Sequence, residues 1–110
     1  MTISYEDFTK VEMRVGTIVD AKPFPEARKP SIKLVIDFGL YGRKQSSAQL
    51  TKRYRQEDLI GKQIIAVTNF PKKKIANFES EVLVLGACPD EEDVVLLNLD
   101  SKVQDGTRVL

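Results

Sequence analysis

An all-β fold is what this sequence predicts, and three observations predict it. Apolar residues recur with a period of two or in short unbroken runs. Glycine and proline punctuate those runs, at Pro23, Pro25, Gly39, Gly42, Gly61 and Gly86. One small helix falls between the third and fourth strands, which is the element order of the OB-fold, a five-stranded Greek-key barrel. The expected architecture is that barrel with short helices and extra terminal strands. No internal repeat, linker or low-complexity tract divides the chain, so residues 1–110 make one domain.

Taken in order, Tyr5 to Thr9 suits one helical turn, with Ser4 as N-cap, Asp7 as its capping-box acid and Phe8 tucked inward. Val11 to Phe24 then reads as a long strand, with Val11, Met13, Val15, Thr17 and Val19 on one face. Gly16 within it suggests a bulge or sharp bend. Pro23 and Pro25 end it, because proline cannot donate to the ladder.

Glu26 to Pro30 is a polar connection. Ser31 to Phe38 is a second strand, in which Ile32, Leu34, Ile36 and Phe38 alternate with Lys33, Val35 and Asp37. Gly39 to Gly42 is a turn. Arg43 to Leu50 is a third strand, rich in hydroxyls and amides. Gln56 to Leu59 is the short helix, with Glu57 and Asp58 in its first turn and Gly61 as its stop. Gln63 to Phe70 and Ser80 to Leu85 carry continuous apolar runs and read as buried fourth and fifth strands. Gly86 to Asp93 is a polar loop, Val94 to Leu97 a further strand, and Thr107 to Leu110 a last one. A second subunit is one way to cover the apolar residues of these extra strands.

Composition narrows the function. The chain is 42% hydrophobic and 30% charged, the balance of an ordinary soluble domain. It has no histidine and one cysteine, Cys88. Serine–histidine and cysteine–histidine nucleophile pairs are therefore impossible. No metal site, catalytic constellation or cofactor is expected, and no glycine-rich phosphate loop marks a nucleotide site. The expectation is a non-enzymatic protein. One unpairable cysteine and an acidic start point to a reducing cytoplasm. Cys88 itself fits a buried or half-buried apolar role.

The net charge of +1 conceals a bipolar chain. Between Arg28 and Arg55, eight basic residues face Asp37 alone, a local surplus of seven. Acids gather at Asp90, Glu91, Glu92, Asp93, Asp100 and Asp105. The densest basic knot is Lys72-Lys73-Lys74, flanked by Phe70 and Phe78 and bracketed by Asn69 and Ser80. Asn77 suits a left-handed turn position. Cations beside aromatics suit nucleic-acid phosphates with stacked bases, or an extended peptide with apolar side chains. A solvated tip that keeps the surface soluble fits the same three lysines. Lys44, Ser46, Ser47 and Gln49 on the third strand offer hydrogen bonds to a bound chain, or blunt an exposed edge. Arg53, in the basic run Lys52 to Arg55, suits any acidic partner. The lysines form the expected rim, and Phe70, Phe78 and the strand from Ser46 to Gln49 the expected floor.

Several stretches carry a family likeness. Phe8 to Ile18, Lys33 to Gly39, Leu59 to Lys62 and Asn69 to Ser80, in this order, resemble the EMAP-II-like tRNA-binding domains. That resemblance implies an OB barrel, a binding surface that includes Asn69, Lys73, Lys74 and Ser80, and dimerisation outside the minimal barrel. Phe24 to Pro30, Lys44 to Thr51 and Ser80 to Gly86 resemble a branch of export chaperones within the family. Likeness to that branch implies a homodimeric chaperone that binds unfolded preproteins and the preprotein translocation ATPase. The missing glycine-rich phosphate loop adds the expectation of action without ATP, and the lack of a long apolar run that of no membrane insertion. The tRNA-binding members carry Ser-Gly at Ala48-Gln49, Arg-Gly at Ala76-Asn77 and Gly-Met at Val82-Leu83. Loss of that arginine removes bidentate phosphate chemistry, so tRNA binding is the alternative expectation.

Overall fold

The computed structural model describes residues 1–110. Helix α1 (Tyr5–Thr9) starts at Ser4, whose Oγ accepts from Asp7 N while Asp7 Oδ2 accepts from Ser4 N. Both arms of the expected capping box are present. Strand β1 (Met13–Pro23) follows, then β2 (Ile32–Asp37), a 3-10 turn at Gly39–Tyr41 and β3 (Arg43–Ala48). Helix α2 (Gln56–Leu59) separates β3 from β4 (Gln63–Val67). Strands β5 (Lys73–Ile75) and β6 (Phe78–Ser80) form a small hairpin. After them come β7 (Leu83–Val84), β8 (Gly86–Asp90), β9 (Asp93–Leu96) and β10 (Arg108–Val109). No helix is long and apolar enough to cross a membrane.

The main sheet runs β3–β2–β1–β4–β7, with β10 also on β1. All pairs are antiparallel. β1 pairs with β4 from Met13 to Thr17 and with β2 from Thr17 to Pro23. One strand therefore belongs to both halves of the wall, which is how a small sheet curls into a barrel. The result is a nearly closed five-stranded barrel of the expected OB type.

Strand β2 follows its pattern, with Ile32, Leu34 and Ile36 inward and Phe38 beyond them, all fully buried. They pack with Ile18, Leu50, Leu59, Ile64 and Ala66 in one core. Each of the large side chains among them contributes about 1.5–3 kcal/mol through burial. Gly61 ends α2 at φ +92°, a left-handed value that glycine adopts without strain.

Several expectations are corrected. Gly16 is not a bulge, since its register with β4 is unbroken. It is a close-packing point, where a Cβ would lie 2.6 Å from Ile36 Cγ2 and 2.8 Å from the Phe38 ring. The register shift instead falls between Ile18 and Asp20, leaving Val19 as the extra residue. That shift lets Ile18 and Ala21 both point inward while Asp20 stays out. Val11, Met13, Val15, Thr17 and Val19 do not form the core face. Gly16, Ile18 and Ala21 do, and Val15 is buried outside the main core cluster, as are its neighbours Ile65 and Val67.

The fourth strand stops at Val67, short of Phe70. The fifth splits into β6 and β7, and Leu83 is 49% exposed. Gly86 to Asp93 is no loop but most of a second hairpin, β8–β9. Cys88 sits on that hairpin exposed, not buried. Phe8 is half-buried.

Candidate functional site

The polar third strand has a structural cause. Where β3 meets the segment 79–82 the barrel closes with one backbone bond, Glu81 N to Gln45 O at 2.8 Å. Side chains complete the seam. Glu81 Oε1 accepts from Gln45 N at 3.1 Å, Ser80 Oγ accepts from Ser47 N at 3.2 Å, and Ser46 Oγ donates to Val82 O at 2.9 Å. Gln45 Nε2 also donates to Glu79 O at 2.9 Å. Hydroxyls and amides replace a regular ladder here, because each buried main-chain group needs a partner.

Beside this seam lies a groove of about 1060 Å³. Its floor is the end of β3 and the residue after it, Ser47 to Gln49, with Val84, over the buried Leu50 and Val82. One wall is the β1–β2 connection, Glu26 to Lys29. The facing wall is the β5–β6 hairpin, through Lys73, Lys74, Ile75 and Ala76. The β8–β9 hairpin closes a third side with Gly86, Cys88, Glu91 and Val94. Four cations, Arg28, Lys29, Lys73 and Lys74, face two acids, Glu26 and Glu91, so the groove carries a positive field over a floor of mixed apolar and polar side chains.

The aromatics hold the walls rather than line the groove. Phe24, at the start of the β1–β2 connection, packs on Phe78 of β6 with ring centroids 5.3 Å apart. Lys33 Nζ lies 4.7 Å from the Phe24 ring and 5.5 Å from the Phe78 ring. This sandwich joins one groove wall to the other. Phe78 is half-buried in it, and Phe70 is 53% exposed outside the groove. Neither forms the floor.

Other expected site residues serve the fold. Ser46 is buried in the seam, and Ser80 Oγ belongs to the seam as well. Asn69 ties the chain after β4 to the segment after α1, with Oδ1 accepting from Glu12 N and Nδ2 donating to Lys10 O. Arg53 is not a free cation. It grips Asp93 in a two-pronged ion pair, Nε to Oδ1 at 3.0 Å and Nη2 to Oδ2 at 2.7 Å. That contact, the Arg53 hydrogen bond above all, holds the Asp93 carboxyl below its usual range. Lys52 Nζ reaches Asp90 at 3.2 Å, so the C-terminal acids neutralise part of the basic stretch. Lys72 lies 3.9 Å from Glu81. Lys44 is half-buried on β3 with no carboxylate partner, and Lys73 and Lys74 are exposed on β5. The groove therefore brings together Ser47, Gln49, Lys73, Lys74 and Ser80 of the expected set.

The left-handed turn position belongs to Ala76, at φ +53°, not Asn77. Ala76 is the first of two residues linking β5 to β6, and a two-residue hairpin with positive φ at that place alone follows the II′ pattern. Arg28, Lys29, Ile75, Leu83 and Leu85 also line the groove. The basic pair was visible as charge. Leu83 and Leu85 were hidden in a run that reads as buried strand.

A family model described as "Putative tRNA binding domain" matches residues 13–108. The chain belongs to this tRNA-binding domain family. Within it, the chain is similar over its whole length to chaperone CsaA. The solved structure from Bacillus anthracis str. Ames is 54% identical, with all of both chains covered and a TM-score of 0.96. That of the CsaA chaperone protein from Picrophilus torridus is 49% identical, covering 99% of this chain and 100% of that one at a TM-score of 0.91. The methionine–tRNA ligase of Porphyromonas gingivalis is 35% identical over 107 residues, 97% of this chain. The chain spans about 15% of the length of that ligase.

Proposed function

We propose that this protein is an ATP-independent chaperone that holds unfolded preproteins for export. The observation that carries this reading is the groove: the accessible apolar side chains of Ile75, Leu83, Val84 and Leu85 between cationic walls. An extended polypeptide has apolar side chains for such a surface and main-chain groups for polar strand residues. Lys73, Lys74, Arg28 and Lys29 attract acidic flanks and keep the mouth wet. Binding then rests on affinity alone, so release needs no nucleotide turnover. The whole-length likeness to CsaA chaperones supports the reading.

The protein acts as a cytoplasmic homodimer in this account, and hands its cargo to the preprotein translocation ATPase. Two grooves on one dimer gain avidity when a single unfolded chain reaches both. The test is aggregation of an unfolded preprotein, followed by light scattering without ATP. Suppression is expected at a few-fold molar excess. Unchanged aggregation would overturn the reading.

A tRNA-binding role is the second reading, favoured by the same four cations and by the family match. It predicts binding of bulk tRNA that weakens steeply with salt, because phosphate contacts release counterions. Tight, salt-sensitive tRNA binding without peptide affinity would reverse the ranking.

A further inference from the structure

The seam leaves the end of β3 unpaired inside the groove. Gln45 gives both its N–H and its C=O to Glu81, so the odd residues of β3 direct their main-chain groups away from β2. Ser47 follows, and its N–H is taken by Ser80 Oγ. Its C=O receives only a long 3.5 Å contact from Ser46 Oγ. Gln49 comes next in the same phase. Its N–H and C=O make no hydrogen bond within the chain, while its neighbours close a tight turn through Leu50 N to Ala48 O at 3.0 Å. Ser47 and Gln49 both line the groove. A free acceptor at Ser47 and a free donor and acceptor at Gln49, two residues on, are a template for an added strand.

We propose that the groove takes its polypeptide by strand addition to the free end of β3, Ser47 to Gln49, an inference that rests on the polypeptide reading above. The occupant is an extended segment that alternates apolar and acidic or neutral polar residues. Its main chain pairs with Ser47 C=O and with Gln49 N–H and C=O. Its apolar side chains face Leu83 and Val84, and its acids reach Lys73 and Lys74. Recognition through the main chain explains how one site would serve unfolded chains of different sequence. An RNA strand has no alternating amide donors and acceptors to offer this edge.

The test uses a fluorescent peptide of about nine residues, about 30 Å when extended. It alternates valine with glutamate and threonine, and it is compared with copies N-methylated at single amides. Methylation at alternate amides is expected to weaken binding about tenfold, and methylation at the amides between to change it little. Gln49→Pro removes the main-chain donor while Ala48 is already extended, as a residue before proline should be. It is expected to weaken binding more than Gln49→Ala, which removes only the side chain. The peptide series leaves the protein unchanged, so it stands even if Gln49→Pro fails to fold. Binding of the parent peptide with no period-two pattern would overturn strand addition and leave the polypeptide reading in place. No binding of the parent peptide, with bulk tRNA bound instead, would overturn both.

Discussion

Arg53 and Asp93 lie forty residues apart in sequence and meet in a two-pronged ion pair of 3.0 and 2.7 Å. The pair clips the β8–β9 hairpin to the segment after β3. Tyr54 Oη, accepting from Leu96 N at 3.0 Å, and buried Leu96 complete the attachment. One wall of the groove is thus held by a few specific contacts.

The pH dependence of that clip follows from the direction of the Asp93 shift. Its carboxyl is held below the usual value, chiefly by the Arg53 hydrogen bond. A depressed folded-state pKa gives stability that is present above the unfolded value, near 3.8, and lost as pH falls through the folded one. Asp93→Asn should lower Tm by about 4 °C at pH 7. The gap to the unmodified protein should shrink as pH falls below the unfolded value and through the depressed folded one, as read by thermal melts across pH.

Ala76 carries the one positive φ outside glycine, at +53°. A side chain at such an angle costs roughly 1–2 kcal/mol, part of which glycine returns as unfolded-state entropy. Ala76→Gly should therefore stabilise the protein by about 0.5–1 kcal/mol in urea unfolding. Ala76→Val should destabilise it, since a β-branched residue fits that angle worst.

Gly16 lies against two fully buried side chains, with space for no Cβ. Gly16→Ala must push Ile36 or Phe38 from its packed position. Such overpacking costs about 1–3 kcal/mol. Equilibrium unfolding checks the figure, and an unchanged stability would mean that the core yields freely.

The two phenylalanines around the lysine knot should separate. Phe78→Ala removes the ring packed on Phe24 and should cost about 1–3 kcal/mol, loosening both groove walls. Phe70→Ala, on an exposed ring, should change stability by less than about 0.5 kcal/mol. Denaturation midpoints of the two variants decide this.

Sequence alone distinguished some of these features and not others, for physical reasons. Ile32, Leu34 and Ile36 declared β2 because alternation has one geometric meaning on a half-buried strand. Ser4 and Asp7 declared α1 because both partners of the capping box lie within one turn. The seam was not legible in the same way. Ser46 and its acceptor Val82 O are thirty-six residues apart, and a buried hydroxyl looks like a ligand-binding one until its partner is known. The run Val82 to Leu85 was misleading for a related reason. Apolar character marks a surface to be covered without saying what covers it, and Leu83 faces the groove. The free cation and the clipped one, Lys73 and Arg53, are likewise alike in sequence.

Cys88 allows the central claim to be read directly, since it is the single cysteine, exposed and on the groove wall. An environment-sensitive fluorophore attached there reports on occupancy of the groove. Titration with an unfolded preprotein diluted from denaturant, without nucleotide, should give a saturable blue shift that ATP does not alter. An unchanged spectrum while light scattering shows aggregation suppressed, or a response to tRNA alone, would contradict the account.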